Sequence, residues 1–405
     1  MADALESIRV VEVTEALAGP YCAMLLGDLG ADVVKVERPE IGDQSRGWGP
    51  PFYGGESTYY LATNRNKRSI TINFKQPKGL ALLKKLIAGA DVFINNQFSA
   101  ASLQKRGLDA ATLRAEHPRL IYCGISGYGF TGPKSGRPSY DILAQAESGI
   151  MSFTGEPGSG PLRYPIAIAD MTCGIYSAMG ILAALFSREK TGQGQFLDMS
   201  LFDSQLTWLS TVGSSYLNGG SSPRRWGNAH PNIVPYDVFS GSDGRHLVIG
   251  IGTESLWQKL AAILDAETCD KDSGAKLSQS ELFLSNAMRN KNREALIPQL
   301  QKVFAQRPAA AWLERFEQAG IPAAAINTVP DALGDAQARA RGSVVQIEHP
   351  ALGNVGSIAN PIKFSGTPIT YRYAPPLLGQ HTGEILEELK FSSGEIAELQ
   401  KQHAI

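Results

Sequence analysis

Strand-like and helix-like patterns alternate along the first half of the chain. The segment from Ile8 to Thr14 is a short β-branched run, and AGPYCAMLLGDLGA after it has helical spacing. Further predicted strands are ADVVKVE, RSITINF, DVFIN, RLIYCGISGYG, PIAIAD and QFLDMSLF, and helical segments such as PKGLALLKKLIAGA and MTCGIYSAMGILAALFSRE lie between them. Strands separated by helices predict an α/β fold with a parallel sheet and right-handed crossovers.

The pattern changes near Asn218, where the chain enters the turn-rich segment NGGSSPRRWGNAHPN. Beyond it, HLVIGIG predicts a strand, and AAAWLERFEQAG and the residues around Leu256 to Leu264 predict helices. We therefore predict a large parallel-sheet domain over residues 1–217 and a smaller α+β domain over residues 218–330. The tail, residues 331–405, is expected to be poor in strands and to wrap back over the large domain.

The charge balance limits the partners of the protein. Lys and Arg together number 38 and Asp and Glu 39, so the net charge is -1. No overall basic field is therefore available to hold a nucleic acid or an anionic membrane surface. We expect small-molecule partners, no nucleic acid and no membrane, and an anionic ligand would need a local cluster of Arg and Lys.

The four cysteines, Cys22, Cys123, Cys173 and Cys269, form no CxxC pair and lie in apolar or mixed segments. This favours buried thiols in a reducing compartment over disulfides or a zinc site. The start, MADALESIRVVEV, lacks the basic region of a secretory signal, and no apolar stretch approaches the roughly 18 residues of a spanning helix. The expected location is the cytoplasm, or the mitochondrial matrix if a presequence has been removed.

Several motifs of cofactor chemistry are missing from the sequence. The turn after the first predicted strand reads EALAGPYCAMLLG and lacks the GxGxxG with which a dinucleotide-binding fold approaches the pyrophosphate. No GxxxxGK[ST] loop, GxSxG elbow, HExxH or metal-spaced group of His and Cys occurs. We expect no metal and no permanently bound cofactor.

The clearest functional signal comes from segments that occur in a fixed order. They are VTEALAGPYCAMLLGDLGADVVKVERP, RGWGPPF, NRNKRSITINFKQPKG, GYGFTGP, AIADMTCGIYSAMGILAAL, TGQGQFLDMSL and APPLLGQHTGEIL. Together they resemble the class III CoA-transferases, the family that contains formyl-CoA and carnitine CoA-transferases. GESTYYLATNRNKRSI, RRWGNAH and IVPYDVF are most similar to its succinyl-CoA–glutarate branch, which uses C4 to C6 dicarboxylic acids.

The resemblance implies a Rossmann-like large domain, a smaller α+β domain and a homodimer of interlocked subunits. It also implies a nucleophile, Asp170, at the end of the predicted strand PIAIAD. Its carboxylate would attack a donor acyl-CoA, form a mixed anhydride and then an aspartyl-CoA thioester, and pass CoA to an acceptor acid. An Asp between strand and helix also suits a helix N-cap, and the positive helix end is expected to lower the pKa of this carboxyl.

By the same resemblance, CoA lies along the strand ends of the large domain as a substrate. The implied contacts are Leu17, Ala18, Arg38, Ile72, Lys75, Asn96, Gln97, Arg106 and Tyr140. Arg38, Lys75 and Arg106 are the cations expected to bind the phosphates. Lys105 is the alternative to Arg106, since the chain looks longer than the family pattern in this stretch.

The far carboxylate of a dicarboxylic acceptor needs another cation. The candidates are Arg46, Arg224 or Arg225, and His230, although loop arginines are as often simply solvent-exposed. Gly127 and Gly129 are candidates for placing backbone N–H groups near an oxyanion, but turn geometry explains both glycines equally well.

Alternatives to dicarboxylate CoA transfer stay open from the sequence. A 2-methylacyl-CoA racemase would pair the same Asp with a His, but RPSYDILAQ has Tyr140 near the expected His position. A CoA-transferase for formate, oxalate or carnitine would keep Asp170, whereas a non-catalytic CoA-binding or scaffold protein would not need it. The donor and acceptor are not fixed, because one methylene in an acid pocket is worth only about 1–3 kcal/mol.

Overall fold

The computed structural model describes residues 3–96, 99–268 and 276–405. The chain forms two compact units. Unit 1 comprises Met1–Met151, Arg163–Ser222 and Ala336–Ile405, and unit 2 comprises Ser152–Leu162 and Pro223–Asp335.

The strands of the described residues, in chain order, are β1 (Arg9–Val13), β2 (Asp32–Glu37), β3 (Phe52–Tyr53), β4 (Glu56–Ser57), β5 (Lys67–Thr71), β6 (Val92–Asn95), β7 (Ile121–Ser126), β8 (Phe196–Ser200), β9 (Tyr236–Ser240), β10 (His246–Gly250), β11 (Ala323–Ala325), β12 (Val344–His349) and β13 (Gly353–Ile358). The α-helices are α1 (Ala18–Asp28), α2 (Thr58–Leu61), α3 (Pro77–Ala88), α4 (Ala100–Arg106), α5 (Ala110–Glu116), α6 (Asp141–Glu147), α7 (Ile168–Thr191), α8 (Leu201–Leu206), α9 (Ser210–Gly219), α10 (Glu254–Thr268), α11 (Asn286–Lys291), α12 (Arg293–Phe304), α13 (Ala309–Ala319), α14 (Val329–Gly334), α15 (Ala336–Ala340), α16 (Thr382–Glu388) and α17 (Ser393–Lys401).

The main sheet of unit 1 has six parallel strands in the order β5-β2-β1-β6-β7-β8. This is the 3-2-1-4-5-6 order of a doubly wound, Rossmann-type sheet. From β1 the chain crosses to β2 on one side, and from β6 it crosses to β7 on the other side. A crevice therefore opens beyond the carboxyl ends of β1 and β6, and ligands of such sheets bind there. The prediction of an α/β fold with a parallel sheet is confirmed.

Alternate side chains of the strands pack into separate cores on the two faces of this sheet. Val11 and Val13 of β1 point into the core that contains α3, α4, α5 and the tail helices α16 and α17. Val10 points into the core that contains α1, α6, α7 and α8. Burial on both faces explains why neighbouring positions such as Val10 and Val11 are both apolar, without a polar residue between them.

Two local predictions in unit 1 are wrong. PIAIAD is not a strand, because the chain is irregular through Ala167 and enters α7 at Ile168. Periodicity cannot separate a short apolar strand from a buried helix start. The tail also contains an antiparallel hairpin, β12–β13, although the sequence predicts few strands there.

Helix α7 is long and apolar enough to cross a membrane, although no apolar stretch of that length is expected from the sequence. Half of its apolar stretch is buried, and its buried side chains pack in the core shared with α1 and the sheet. A core helix of a sheet protein has the same length and composition, so α7 by itself does not indicate a membrane protein.

Unit 2 is built on the antiparallel sheet β11-β10-β9. Its core is rich in aromatic rings, with Phe304 at the centre. The ring centroid of Phe304 lies 4.6 Å from that of Phe239, 5.4 Å from that of Trp312 and 5.9 Å from that of Phe316. These edge and stacked contacts join β9 to α12 and α13.

Gly174 lets α7 pack closely against the start of α1. A Cβ added at this glycine would lie 2.8 Å from the carbonyl oxygen of Ala18, 3.1 Å from Cδ1 of Tyr21 and 3.3 Å from the backbone nitrogen of Cys22. Two of these neighbours are backbone atoms, which cannot move without shifting α1. The absence of a side chain at residue 174 therefore sets the distance between the two helices.

We expect Gly174→Ala to lower the free energy of unfolding by about 1–3 kcal/mol, the usual cost of overpacking a close contact. Denaturant unfolding followed by circular dichroism measures this change. Gly383→Ala in the first turn of α16 is the matched control, because no atom lies within 4 Å of the added Cβ there. Equal stability of the two variants would contradict the packing argument.

Candidate active site

The turn from β1 into α1 has an uncommon backbone conformation. Ala16 has φ 70°, in the left-handed region that residues with a Cβ seldom occupy. Its backbone N–H donates to Oδ1 of Asp43 at 3.1 Å. Leu17, the N-cap of α1, makes no side-chain capping bond. The first N–H groups of α1 therefore need another acceptor.

Lys35 of β2 is completely buried under this turn. Its Nζ donates to the carbonyl oxygen of Thr14 at 3.1 Å, to Oδ2 of Asp43 at 2.9 Å and to Oε1 of Glu12 at 3.2 Å. Burial alone would lower the pKa of Lys35, but the carboxylates of Asp43, Glu12 and Glu37 raise it instead. Lys35 therefore stays charged and fixes the turn.

Lys67 of β5 binds the other side of the turn. Its Nζ donates to the carbonyl oxygen of Pro20 at 2.8 Å, to Oδ1 of Asn64 at 2.8 Å and to Oε1 of Glu12 at 3.0 Å. Lys67 and Lys35 thus share the fully buried carboxylate of Glu12. Buried charges persist only when they are paired and hydrogen-bonded, as these are.

The carboxylate of Asp170 lies at the amino end of α1. Asp170 is in the first turn of α7, and the backbone N–H of Ala18 donates a hydrogen bond to its side chain. The N-cap of α7 is Ala167, so Asp170 does not cap its own helix. It instead accepts an N–H of a neighbouring helix, and the residue is largely, but not completely, buried.

Asp141 supplies the cap that α7 lacks. Its Oδ1 accepts the N–H of Ala169 at 2.8 Å, and its carboxylate also receives the N–H of Asp170. Nε2 of Gln145 lies 2.6 Å from the other oxygen, Oδ2. The first residue of α6 and the first turn of α7 thus hold two carboxyl groups close to each other.

The pKa of Asp170 is raised to about 7, so the expectation of a lowered pKa was wrong. Burial is the largest cause, the charge of Asp141 adds to it, and the hydrogen bond from Ala18 offsets only part. The pKa of Asp141 is also raised, by burial. A carboxyl with a pKa near 7 is partly ionised at neutral pH, and its carboxylate is a stronger base and nucleophile than an ordinary Asp.

Unit 1 has an open cleft of about 500 Å³, lined by Trp48, Gly49, Pro50, Pro51, Thr58, Tyr59 and Ala62. The rings of Trp48 and Tyr59 meet edge to face with their centroids 4.9 Å apart. Burial raises the pKa of Tyr59 to about 12, and the charges of Asp170 and Asp141 add to this. Tyr59 therefore stays protonated, and it lies on the wall of the cleft within electrostatic range of the two carboxyl groups. Aromatic and aliphatic walls of this kind suit a short apolar chain.

Several predicted CoA contacts lie at the carboxyl ends of neighbouring strands. Ala18 follows β1, Arg38 follows β2, Ile72 follows β5 and Asn96 follows β6. Nη2 of Arg38 is 2.7 Å from Oε1 of Glu15, and the side chain of Asn96 bonds the backbone N–H and carbonyl of Glu15, each at 2.9 Å. The structure thus joins Arg38 and Asn96 through Glu15, whereas the side chain of Ile72 is fully buried.

The other predicted contacts are distributed over unit 1. Leu17 is buried before α1, and Lys75 is exposed after β5. Arg106 ends α4 and bonds the preceding turn of that helix. Tyr140, which precedes α6, is 61% exposed. Gln97 lies outside the described residues.

The charge of Arg46 is already paired within unit 1. Its Nε and Nη1 lie 2.8 Å from Glu37 and Glu56, and Nη2 donates to the hydroxyl of Tyr60 at 2.6 Å. The guanidinium also stacks on the Tyr60 ring, 3.7 Å from its centre. A substrate carboxylate would have to displace one of these partners, so the contacts of Arg46 favour a structural role.

Arg225 and His230 lie in unit 2. Nε of Arg225 donates to the carbonyl oxygen of Thr154 at 3.1 Å. Nδ1 of His230 accepts the N–H groups of Asn232 and Ile233 at 3.0 and 3.1 Å. Because Nδ1 is an acceptor, Nε2 is the ring nitrogen that can donate to a ligand.

The two glycines considered for an oxyanion site belong to the turn after β7. The N–H of Gly129 donates to Oγ of Ser126 at 2.8 Å. A Cβ at Gly127 would lie 2.2 Å from Cβ of Ser139, so this glycine allows two chain segments to approach. These contacts favour turn geometry as the reason for both glycines.

Sequence reasoning missed Glu15, Tyr59 and Asp141. Glu15 lies within the β1–α1 turn, whereas Tyr59 and Asp141 approach Asp170 from segments that are far from it in the chain, and no motif spacing connects the three residues. The only local signal was for Asp141, an acidic residue at the start of the helical segment DILAQAE, where negative charge is favoured.

No metal-binding arrangement is found in the described part of the chain, where His, Cys, Asp and Glu nowhere form a suitable group of three or more. Cys22, Cys123 and Cys173 are buried free thiols. Burial raises the pKa of all three, which makes them unreactive. Cys269 lies outside the described residues.

Comparison with known proteins gives the family. Residues 5–382 match the family described as CoA-transferase family III. A succinyl-CoA:glutarate CoA-transferase of Homo sapiens is 40% identical over 396 residues, which cover 98% of this chain and 88% of that protein. A succinate–glutarate CoA-transferase of Agrobacterium fabrum is 40% identical over 392 residues, 95% of this chain and 96% of that protein.

A solved structure is similar over nearly the whole chain. A CaiB/BaiF family protein from Brucella suis has a TM-score of 0.85 at 40% identity and covers 96% of this chain and 100% of its own. Because the family match and these relatives extend over almost all of the sequence, the chain belongs to CoA-transferase family III and is a CoA-transferase.

Proposed function

We propose that this CoA-transferase moves CoA from a donor such as succinyl-CoA to a short dicarboxylic acid such as glutarate. The names of the human and Agrobacterium relatives, both 40% identical to the chain, support these acids as substrates. The observation that carries the chemistry is the Asp170 carboxylate, enclosed at the amino end of α1 with a pKa near 7.

In the first half of the reaction, a carboxylate oxygen of Asp170 attacks the thioester carbonyl of the donor. The C–S bond breaks, CoA leaves as a thiolate, and a mixed anhydride forms. The thiolate then attacks the Asp170 carbonyl of this anhydride. The donor leaves as a free carboxylate, and an aspartyl-CoA thioester remains.

The second half reverses these steps with the acceptor. An acceptor carboxylate attacks the aspartyl-CoA carbonyl and releases the thiolate, which attacks the acceptor carbonyl of the new anhydride. Acceptor-CoA and the free carboxylate of Asp170 result. Both kinds of intermediate are easily hydrolysed, so the thioester is conserved only if water is excluded from Asp170.

Two groups of the chain act directly on this carboxyl. The N–H of Ala18 points at the Asp170 side chain and is suited to stabilise negative charge that develops on its oxygen during attack by the thiolate. Asp141 fixes the start of α7 and raises the pKa of Asp170, which makes the carboxylate a better nucleophile. Asp141 is thus a positioning residue.

CoA is proposed to lie across the carboxyl ends of β1, β2, β5 and β6. Arg38, Lys75 and Arg106 would bind its phosphates, with Leu17, Ala18, Ile72, Asn96, Gln97 and Tyr140 as further contacts. Arg38 is already paired with Glu15, so a phosphate must compete with that carboxylate. Arg225 and His230 remain proposed contacts of the acceptor.

The chain is also proposed to act in the cytoplasm as an interlocked homodimer, with domains at residues 1–217 and 218–330 and a tail that returns to the first. One face of α7 supports the dimer. Ile175, Met179 and Phe186 follow one another at helical spacing and are 49, 56 and 67% exposed. A second copy of the chain that covers this face would bury its apolar side chains.

Trapping with hydroxylamine tests the nucleophile. Incubation with succinyl-CoA and hydroxylamine should convert Asp170 to a hydroxamate that mass spectrometry of the peptides detects. Asp170→Asn should remain unlabelled and lose about a thousandfold or more in kcat. A hydroxamate elsewhere, or none, would remove Asp170 from the mechanism. Exchange of the α-proton of a 2-methylacyl-CoA without acyl transfer would indicate a racemase.

The pH profile tests the pair of carboxyl groups. Because only ionised Asp170 attacks, kcat/KM for the acyl-CoA donor should rise with pH through a pKa of about 7. Asp141→Asn removes a neighbouring negative charge, so the pKa of Asp170 should fall and the rise should move to lower pH. Asp203→Asn, an exposed acid in the first turn of α8, should leave the profile unchanged. An unmoved profile for Asp141→Asn would contradict the coupling.

The dimer is tested by Met179→Glu on the exposed face of α7. A carboxylate there would be buried without a partner in the dimer, so we expect at least a tenfold weaker association in sedimentation velocity. Glu189→Gln on the same helix, where the side chain is 70% exposed and no apolar contact is removed, is the control. A stable dimer of Met179→Glu would place the interface elsewhere.

A further inference from the structure

Three side chains of unit 2 form a stack. The guanidinium carbon of Arg224 lies 3.7 Å from the centre of the Trp226 ring, and that of Arg293 lies 4.6 Å from the same centre. One guanidinium on an indole is an ordinary cation–π contact. Two on the same ring bring like charges together, and this repulsion needs an opposing charge.

Other arginines of unit 2 are paired with a carboxylate. Arg289 pairs with Glu254, and Arg307 and Arg315 pair with Glu267. Among the described residues, Arg224 and Arg293 take part in no ion pair. Arg224 is exposed, so an ion from solution can reach it.

Arg293 is held rigidly in place. Its Nη2 donates to the carbonyl oxygens of His230 and Pro231 at 2.7 and 3.2 Å and to Oδ1 of Asn290 at 3.3 Å. Its Nε is buried and has no hydrogen-bond partner among the residues that the structure describes. A fixed guanidinium loses little entropy when it binds a ligand.

The surroundings of Arg293 contain charges of both signs. Burial lowers the pKa of Arg293, Asp237 offsets part of this, and the charge of Arg224 adds to the lowering. Asp237 does not form an ion pair with Arg293, and its carboxylate accepts the N–H of Val238 at 2.8 Å. Glu156, the other acid nearby, contributes to the raised pKa of Asp237, which is due mainly to burial.

We propose that Arg224 and Arg293, stacked on Trp226, form a binding site in unit 2 for the carboxylate of a short-chain acid. A planar carboxylate can receive parallel N–H groups from a guanidinium whose plane is fixed by stacking. If the bound acid is the dicarboxylic substrate, this site rests on the proposed function and specifies where the substrate carboxylate binds. All of its residues belong to one unit, so it can form without any contribution from unit 1.

Equilibrium binding of glutarate to the full chain tests this site by calorimetry. Arg224→Ala removes an exposed side chain and should raise the Kd about tenfold. Arg293→Lys keeps the positive charge but loses the planar donor group, and should raise the Kd several-fold. Arg315→Ala is the matched control, since it removes an arginine that lies 5.3 Å from the Trp312 ring but is already paired with Glu267.

Steady-state kinetics on the same variants separate two sources of the carboxylate. If the KM for glutarate rises with the Kd, the site binds the free end of the acceptor acid. If the Kd rises while the KM is unchanged, the site binds a carboxylate apart from the reaction. An unchanged Kd in both variants overturns the proposal. Missing hydroxamate formation in the unmodified protein would instead overturn the proposed role of Asp170 and leave this binding result intact.

Discussion

The geometry around Asp170 depends on two lysines, Lys35 and Lys67, that are buried under the turn from β1 to α1. Lys35 and Lys67 converge on the carboxylate of Glu12 and donate to main-chain carbonyl groups on both sides of the turn between β1 and α1. Removal of one partner would leave a buried unpaired charge, which costs about 3–5 kcal/mol. The amide of Ala18 is therefore held in position by ion pairs from neighbouring strands before any substrate binds.

The second requirement is that α7 lies close enough to α1 for the side chain of Asp170 to accept the N–H of Ala18. Gly174 permits the approach to α1, and Asp141 determines where α7 begins by accepting its first N–H groups. The same approach encloses Asp170 and places it near another negative charge, which raises its pKa. Packing and reactivity thus have a common origin, because the contacts that position the carboxylate also make it more basic.

Pairing, rather than the number of cations, decides which positive charges are available to an anionic substrate. Arg46 is bound by two carboxylates and a tyrosine hydroxyl, and Arg38 is bound by Glu15. Arg224 and Arg293 have no such partner among the described residues and share one aromatic ring. An almost neutral chain can therefore present local positive charge to an anion without an overall positive field.

The sequence by itself determined the alternation of strands and helices, hence the parallel sheet, and the ordered motifs that identify the family and single out Asp170. These features are local, because periodicity and short motifs depend on residues that are neighbours in the chain. Only the tertiary structure decided that α7 starts before Asp170, that the pKa of Asp170 rises, that Asp141 lies beside it and that Arg46 is already paired. Burial and charge at one site are set by segments far apart in sequence, and no local pattern records which of them will meet.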